Sequence, residues 1–184
     1  DSATPVVFLP PAGGLGWCYA SFLKHLDPSS SVWTLQARQF SDPSSRWPDT
    51  LEELAEDYAA SLSAIAPHGC ILAGWSVGGI AAVDVAARAA RHGVDVEKVV
   101  LLDAYPPTYW RARPEPTESD LWIALMRMGG IEPREVPGDL AGTVAALREH
   151  GSPLANLDDA SLRTCITSVL SLIHISEPTR QAEI

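Results

Sequence analysis

The chain has 184 residues, 46% hydrophobic and 20% charged, which fits one domain with a real core and argues against disorder of the chain as a whole. Its 13 Lys and Arg stand against 23 Asp and Glu, a net charge of -10, whereas a nucleic-acid partner calls for clustered cations. No apolar run approaches the ~18 residues that span a bilayer, so no membrane association is expected.

The opening from Asp1 to Pro5 has no basic segment leading into an apolar stretch, so no secretion signal is expected. A strand begins almost at once, as in a piece taken from a longer protein. The first apolar run is Val6 to Leu9, followed by the Gly-rich turn Pro10-Pro11-Ala12-Gly13-Gly14. Ser21 to Leu26 belongs to a short helix, and Val32 to Ala37 is the second strand. Leu51, Leu54, Ala55, Tyr58, Ala59, Leu62 and Ile65 recur at helical spacing, with Thr50 and Glu53 as a capping box. Cys70 to Trp75 is a third strand, Ile80 to Ala90 an alanine-rich helix with Gly93 as its stop, and Val99 to Asp103 a fourth strand. Strands alternating with helices imply right-handed crossovers and a mostly parallel sheet, and nearly all-apolar strands imply cover on both faces. After Asp103 the prolines Pro106, Pro107, Pro114 and Pro116 break the pattern. Helices are expected over Glu118 to Met128, Asp139 to Glu149 and Asp158 to Val169, a helical insertion that would suit a lid.

Cys18, Cys70 and Cys165 are odd in number and lack the spacing of a metal clip, so no metal site is expected. Cys18, beside aromatics, and Cys70, in an apolar run, read as small buried hydrophobes of a reducing compartment, which places the protein in the cytoplasm.

The segment with chemistry is Gly74-Trp75-Ser76-Val77-Gly78-Gly79. Gly-x-Ser-x-Gly is weak alone; its place between a strand and a helix gives it weight, because a serine on that tight turn is lifted above the sheet where a base can reach it. Gly74 and Gly78 leave room for the turn. The helix start presents free N–H groups, which makes the Val77 amide an oxyanion donor. Asp103 closes the next strand, at the sheet edge where sites form in open α/β sheets, and follows Ser76 in the order of a Ser–Asp–His system. The turn after the first strand makes the Ala12 amide the candidate second donor, with a plain loop as the alternative.

The stretches PVVFLPPAGG, VWTLQAR, ILAGWSVGG and VVLLDAYPP together resemble the thioesterase domains that end nonribosomal peptide and polyketide synthases, over about Pro5 to Val169. Trp75 before the serine and Leu35-Gln36-Ala37-Arg38 favour the integrated, chain-terminating type over stand-alone editing thioesterases. The resemblance implies an α/β-hydrolase fold, with residues 1–105 as the sheet core and 106–169 as the lid region. It implies that Ser76 accepts an acyl chain from the phosphopantetheine of a neighbouring carrier domain, that Asp103 is the triad acid, and that the domain binds no cofactor of its own. Release is then by water or by an internal amine or hydroxyl that closes a ring. Trp110, Trp122 and Met126 either line the acyl channel or pack the core.

The base is the missing member. His25, His68 and His92 precede Asp103, and His150 lies within the lid region. His174 has the right order, but Leu170 to Arg180 reads LSLIHISEPTR, which resembles a transposase-based sequencing adapter translated straight through. Residues 170–184 are therefore set aside as a non-native tail. The expectation is a partial domain, 1–169, lacking its histidine and later strands, with the fourth strand as an unprotected edge and normal triad catalysis lost. Two other readings stay open: another serine esterase of the same fold, and a non-catalytic interaction domain.

Overall fold

The structure, a computed structural model, describes residues 3–106, 109 and 117–176, leaving out the side chains of 173, 174 and 176. Trp110, Pro107, Pro114 and Pro116 lie outside the described residues.

Four strands form one parallel sheet in the order β2-β1-β3-β4: β1 (Val6–Leu9), β2 (Val32–Thr34), β3 (Cys70–Trp75) and β4 (Val96–Leu102). Two boundaries differ from expectation. β2 stops at Thr34 rather than Ala37, because the chain turns into a 3₁₀ segment, Arg38–Phe40. β4 starts at Val96, since Val96 and Lys98 pair with Cys70 and Ile71 of β3 and Glu97 lies in the register shift between them, and it ends at Leu102 rather than Asp103.

α1 (Leu51–Ile65) and α2 (Val77–Ala89) pack on one face of the sheet, in a core that includes Val7, Leu9, Tyr58, Leu62, Leu72 and Val85. Fully burying a side chain such as Leu72 contributes roughly 1.5–3 kcal/mol. The α1 capping box is only half formed. Thr50 Oγ1 accepts from the Glu53 amide at 3.1 Å, but the Glu53 carboxylate accepts from the Asp49 amide at 3.0 Å, one residue early, where it also meets Arg46. The expected Ser21–Leu26 helix is a 3₁₀ segment, Trp17–His25, whose Tyr19 packs with Val6, Phe8 and Ala73 on the opposite sheet face. α2 begins at Val77 rather than Ile80, because Ser76 itself is its N-cap.

Three further helices, α3 (Glu118–Met128), α4 (Leu140–Glu149) and α5 (Asp159–Ser176), build a second core from Leu125, Met126, Leu147, Leu154 and Cys165, together with Leu15. α5 runs on past Val169 to Ser176. Leu162, Cys165, Val169, Leu172 and Ile175 are all buried, and their spacing of three or four extends one helical face into the stretch after Val169. Both faces of β1 and β3 are covered. β4, the edge strand of the sheet among the described residues, lacks that cover and is exposed along Glu97–Leu101, as the expected unprotected edge would be.

Candidate active site

The β3–α2 turn is built on close backbone approach. A Cβ on Gly74 would lie 2.2 Å from the Gly78 carbonyl oxygen, and one on Gly78 would lie 2.5 Å from the Leu9 carbonyl oxygen. Real Cβ atoms do not tolerate either distance, so both positions require glycine. Gly79 meets the same limit against the Ala104 side chain, at 2.6 Å.

Between these glycines Ser76 adopts φ 57° and ψ -124°. A positive φ strains a residue with a side chain, typically by about 1–3 kcal/mol. Its amide donates to the Leu102 carbonyl at 2.9 Å, which ties the turn to the end of β4. A serine at a helix start commonly caps the first turn. Ser76 makes no such bond, so its hydroxyl is not committed to the helix. Val77 occupies the first position of α2, where an amide has no intrahelical acceptor.

Asp103 is the next residue after the carbonyl that holds Ser76. It is exposed and also has positive φ, 46°. Ser76 and Asp103 are the non-glycine residues with positive φ among the described residues. Two residues chosen from sequence for their chemistry thus carry the backbone strain.

The turn after β1 closes with the Gly14 amide donating to the Pro11 carbonyl at 2.9 Å, with Gly14 at φ 72°. Ala12 is half-buried at its centre. Residues at the end of α3 and on α5 press on this turn. Met128 fills the space beside Gly13, and Ser168 Oγ lies 2.8 Å from where a Gly14 Cβ would stand. Ser168 Oγ is buried without a hydrogen-bond partner among the described residues.

Four of the five histidines have described side chains. His92 meets Glu56 at 2.7 Å, and that hydrogen bond, above all, holds the Glu56 carboxyl below its ordinary range. His150 Nδ1 contacts the Ala146 carbonyl at 2.9 Å at the end of α4. His25 ends the 3₁₀ segment and His68 lies in the turn before β3. His174 lies on α5 with its side chain outside the described part.

Cys70 and Cys165 are buried and Cys18 is half-buried, and burial raises the thiol pKa to about 11 in Cys18 and Cys70 and to about 12 in Cys165. None of them is thereby primed as a thiolate nucleophile. Trp122 and Met126 on α3 are buried, the core-packing use of their two expected ones. A cavity of about 850 Å³ lies between the Gly129–Pro137 loop and the end of α4 and includes neither Ser76 nor Asp103. A smaller one of about 390 Å³ lies between α2 and the end of β4, lined by Gly79, Ile80, Leu101, Ala104 and Tyr105.

One residue beside the site was not singled out from sequence. Tyr19 donates its hydroxyl to the Leu9 carbonyl at 2.6 Å and accepts the Trp75 amide at 2.8 Å. No local pattern marks it; its place depends on how β1 and β3 are aligned.

Comparison with known proteins agrees with this fold. The family model described as "Thioesterase domain" matches residues 4–170. The Dimodular nonribosomal peptide synthase of Bacillus subtilis (strain 168) is 35% identical over 159 residues, covering 84% of this chain and 7% of that protein. The chain therefore spans a small fraction of that synthase. Among solved structures, the NocB thioesterase domain, in covalent complex with a fluorophosphonate nocardicin G analog, aligns with a TM-score of 0.64 at 21% identity, over 96% of this chain and 67% of that one. The type II thioesterase BorB from the borrelidin biosynthetic cluster aligns at 0.65 with 20% identity, over 98% and 67%. At such identities these structures establish the shared fold, the α/β-hydrolase arrangement of parallel sheet and flanking helices. The chain belongs to the thioesterase-domain family, enzymes of the α/β-hydrolase fold, in the kind that occurs in nonribosomal peptide and polyketide synthases.

Proposed function

We propose that this domain releases a peptidyl or polyketide chain from the phosphopantetheine thioester of a carrier domain in the same synthase, through an acyl enzyme on Ser76. Ser76 Oγ attacks the thioester carbonyl, the developing oxyanion is held by the Val77 and Ala12 amides, and the carrier thiol leaves with a proton. Water, or an amine or hydroxyl of the acyl chain, then attacks the ester and frees Ser76. Asp103 orients the histidine that carries the proton and stabilises its cation.

The observation that carries this reading is the strained Ser76 at the start of α2, hydrogen-bonded to the Leu102 carbonyl beside Asp103. The similarity to a synthase over 84% of the chain favours the integrated type.

The histidine belongs, in this reading, to native sequence after about Val169, and residues 170–184 are a non-native tail. The resemblance of Leu170 to Arg180 to adapter sequence supports this, as does a family match that ends at residue 170. The chain as it stands then lacks the base, while the parent domain is active. Resequencing the native locus tests the point: it should replace LSLIHISEPTR and restore a downstream histidine, and an unchanged reading would reject the tail assignment. A fluorophosphonate probe should label the parent domain on the Ser76 peptide and leave Ser76→Ala unlabelled. Labelling of the variant at wild-type level would reject the nucleophile.

A further inference from the structure

The β1–β3 ladder has a fixed phase. The Ile71 amide donates to the Pro5 carbonyl at 2.8 Å, and the strands run parallel with Val7 opposite Leu72 and Leu9 opposite Gly74. Bonds in a parallel ladder repeat every second residue. The next rungs in this phase join the Ala73 amide to the Val7 carbonyl and the Trp75 amide to the Leu9 carbonyl. The last of these is where Tyr19 stands. Its hydroxyl takes the Trp75 amide at 2.8 Å and passes a hydrogen bond to the Leu9 carbonyl at 2.6 Å. Two legs replace one bond of about 2.9 Å, so the strands are wedged apart at their carboxyl ends, one residue before Ser76.

We propose that Tyr19 is a positioning residue for Ser76 acylation, its hydroxyl serving as the final rung between β1 and β3 and setting the separation of the Pro10–Gly14 turn from the nucleophile turn. This rests on the thioesterase reading above. The two segments it spaces are the ones that bear the oxyanion donors, Ala12 after β1 and Val77 after β3. Gly78 packs directly on the Leu9 and Pro10 carbonyls, so a shift at the Leu9 end is felt in the first turn of α2. The hydroxyl is held on both sides. Its ring is buried and stacks on Phe8 with centroids 4.4 Å apart, and Phe22 meets its edge at 6.2 Å. Burial also pushes the phenol pKa upward, so it remains a neutral group that can donate and accept at once. Oxyanion donors act through placement, and loss of one costs about 10²–10³ in rate. Misplacing a donor is expected to cost part of that.

Tyr19→Phe keeps the ring and removes the rung. In the chain itself, the Trp75 amide proton resonance should move while that of Ile71 stays. An unmoved Trp75 resonance overturns the rung. In the parent domain, turnover per fluorophosphonate-titrated Ser76 should fall by about tenfold to a hundredfold with KM within about twofold, because the placement matters only to the transition state. Unchanged turnover per titrated serine, even with a lower melting temperature or fewer titratable sites, would reduce Tyr19 to a packing residue and overturn the proposal. If Tyr19→Phe does not fold, Phe8→Leu serves instead; it retains the hydroxyl but removes its stacked support, and should give a smaller fall in the same quantity, with no fall overturning the proposal. Absence of any labelling in the wild-type parent would reject the thioesterase reading, and the Trp75 resonance would still decide the rung.

Discussion

β3 and β4 lie side by side in one sheet, both rich in apolar residues, and differ sharply in burial. β3, CILAGW, is buried at Cys70, Leu72, Ala73 and Gly74. In β4, VEKVVLL, Val99, Val100 and Leu101 are 36%, 41% and 50% exposed. β3 has a strand on each side, α2 on one face and Tyr19 on the other. β4 pairs with β3 alone among the described residues. Composition makes a strand, but burial needs neighbours in the plane of the sheet and above and below it. An apolar edge without them is open to pairing with another chain. The two strands nonetheless share one function in the proposed mechanism, since Ser76 follows one and Asp103 the other.

The largest expected effect tests that shared function. Ser76→Ala in the parent domain should lower thioester turnover by several orders of magnitude, with Asp103→Asn also lowering it by orders of magnitude, measured with an acyl thioester substrate. Equal, near-native rates in both variants would show that the two strand ends do not form one site. Next, Gly74→Ala should destabilise the domain by about 2–4 kcal/mol in urea unfolding, because its Cβ would meet rigid backbone at 2.2 Å rather than a flexible side chain.

The burial contrast predicts unequal costs for the same substitution. Leu72→Ala, fully buried in β3, should cost about 2–5 kcal/mol. Leu101→Ala, half exposed in β4, should cost less than about 1 kcal/mol. Similar values would mean that β4 is covered in solution. Val100→Lys should reduce self-association in sedimentation with little change in melting temperature, as charged edges block strand pairing. A modest effect is expected at α3, where Thr117 and Asp120 complete the reciprocal cap that α1 only half forms. Thr117→Ala should cost about 1 kcal/mol.

The parts legible in sequence are those encoded within a few residues. Gly74 and Gly78 specify the turn around Ser76 because a side chain at either would meet backbone, and the alternation of apolar runs with helical spacing gave the parallel sheet. Errors fell where a neighbour decides. β2 ends early because the chain turns at Arg38, and β4 starts early because β3 offers a ladder to Val96 and Lys98. α5 continues beyond Val169 because Leu172 and Ile175 extend its buried face, whatever the origin of that segment.

By itself, then, the sequence determined the α/β class, the Gly-x-Ser-x-Gly turn between β3 and α2 and the thioesterase family, because local sterics and hydrophobic period act over short stretches of chain. The tertiary structure alone decided that Ser76 hangs from the Leu102 carbonyl and that the Tyr19 hydroxyl occupies the last rung between β1 and β3. Each of these depends on contacts between residues far apart in the chain, and on the phase of a hydrogen-bond ladder that no single segment carries.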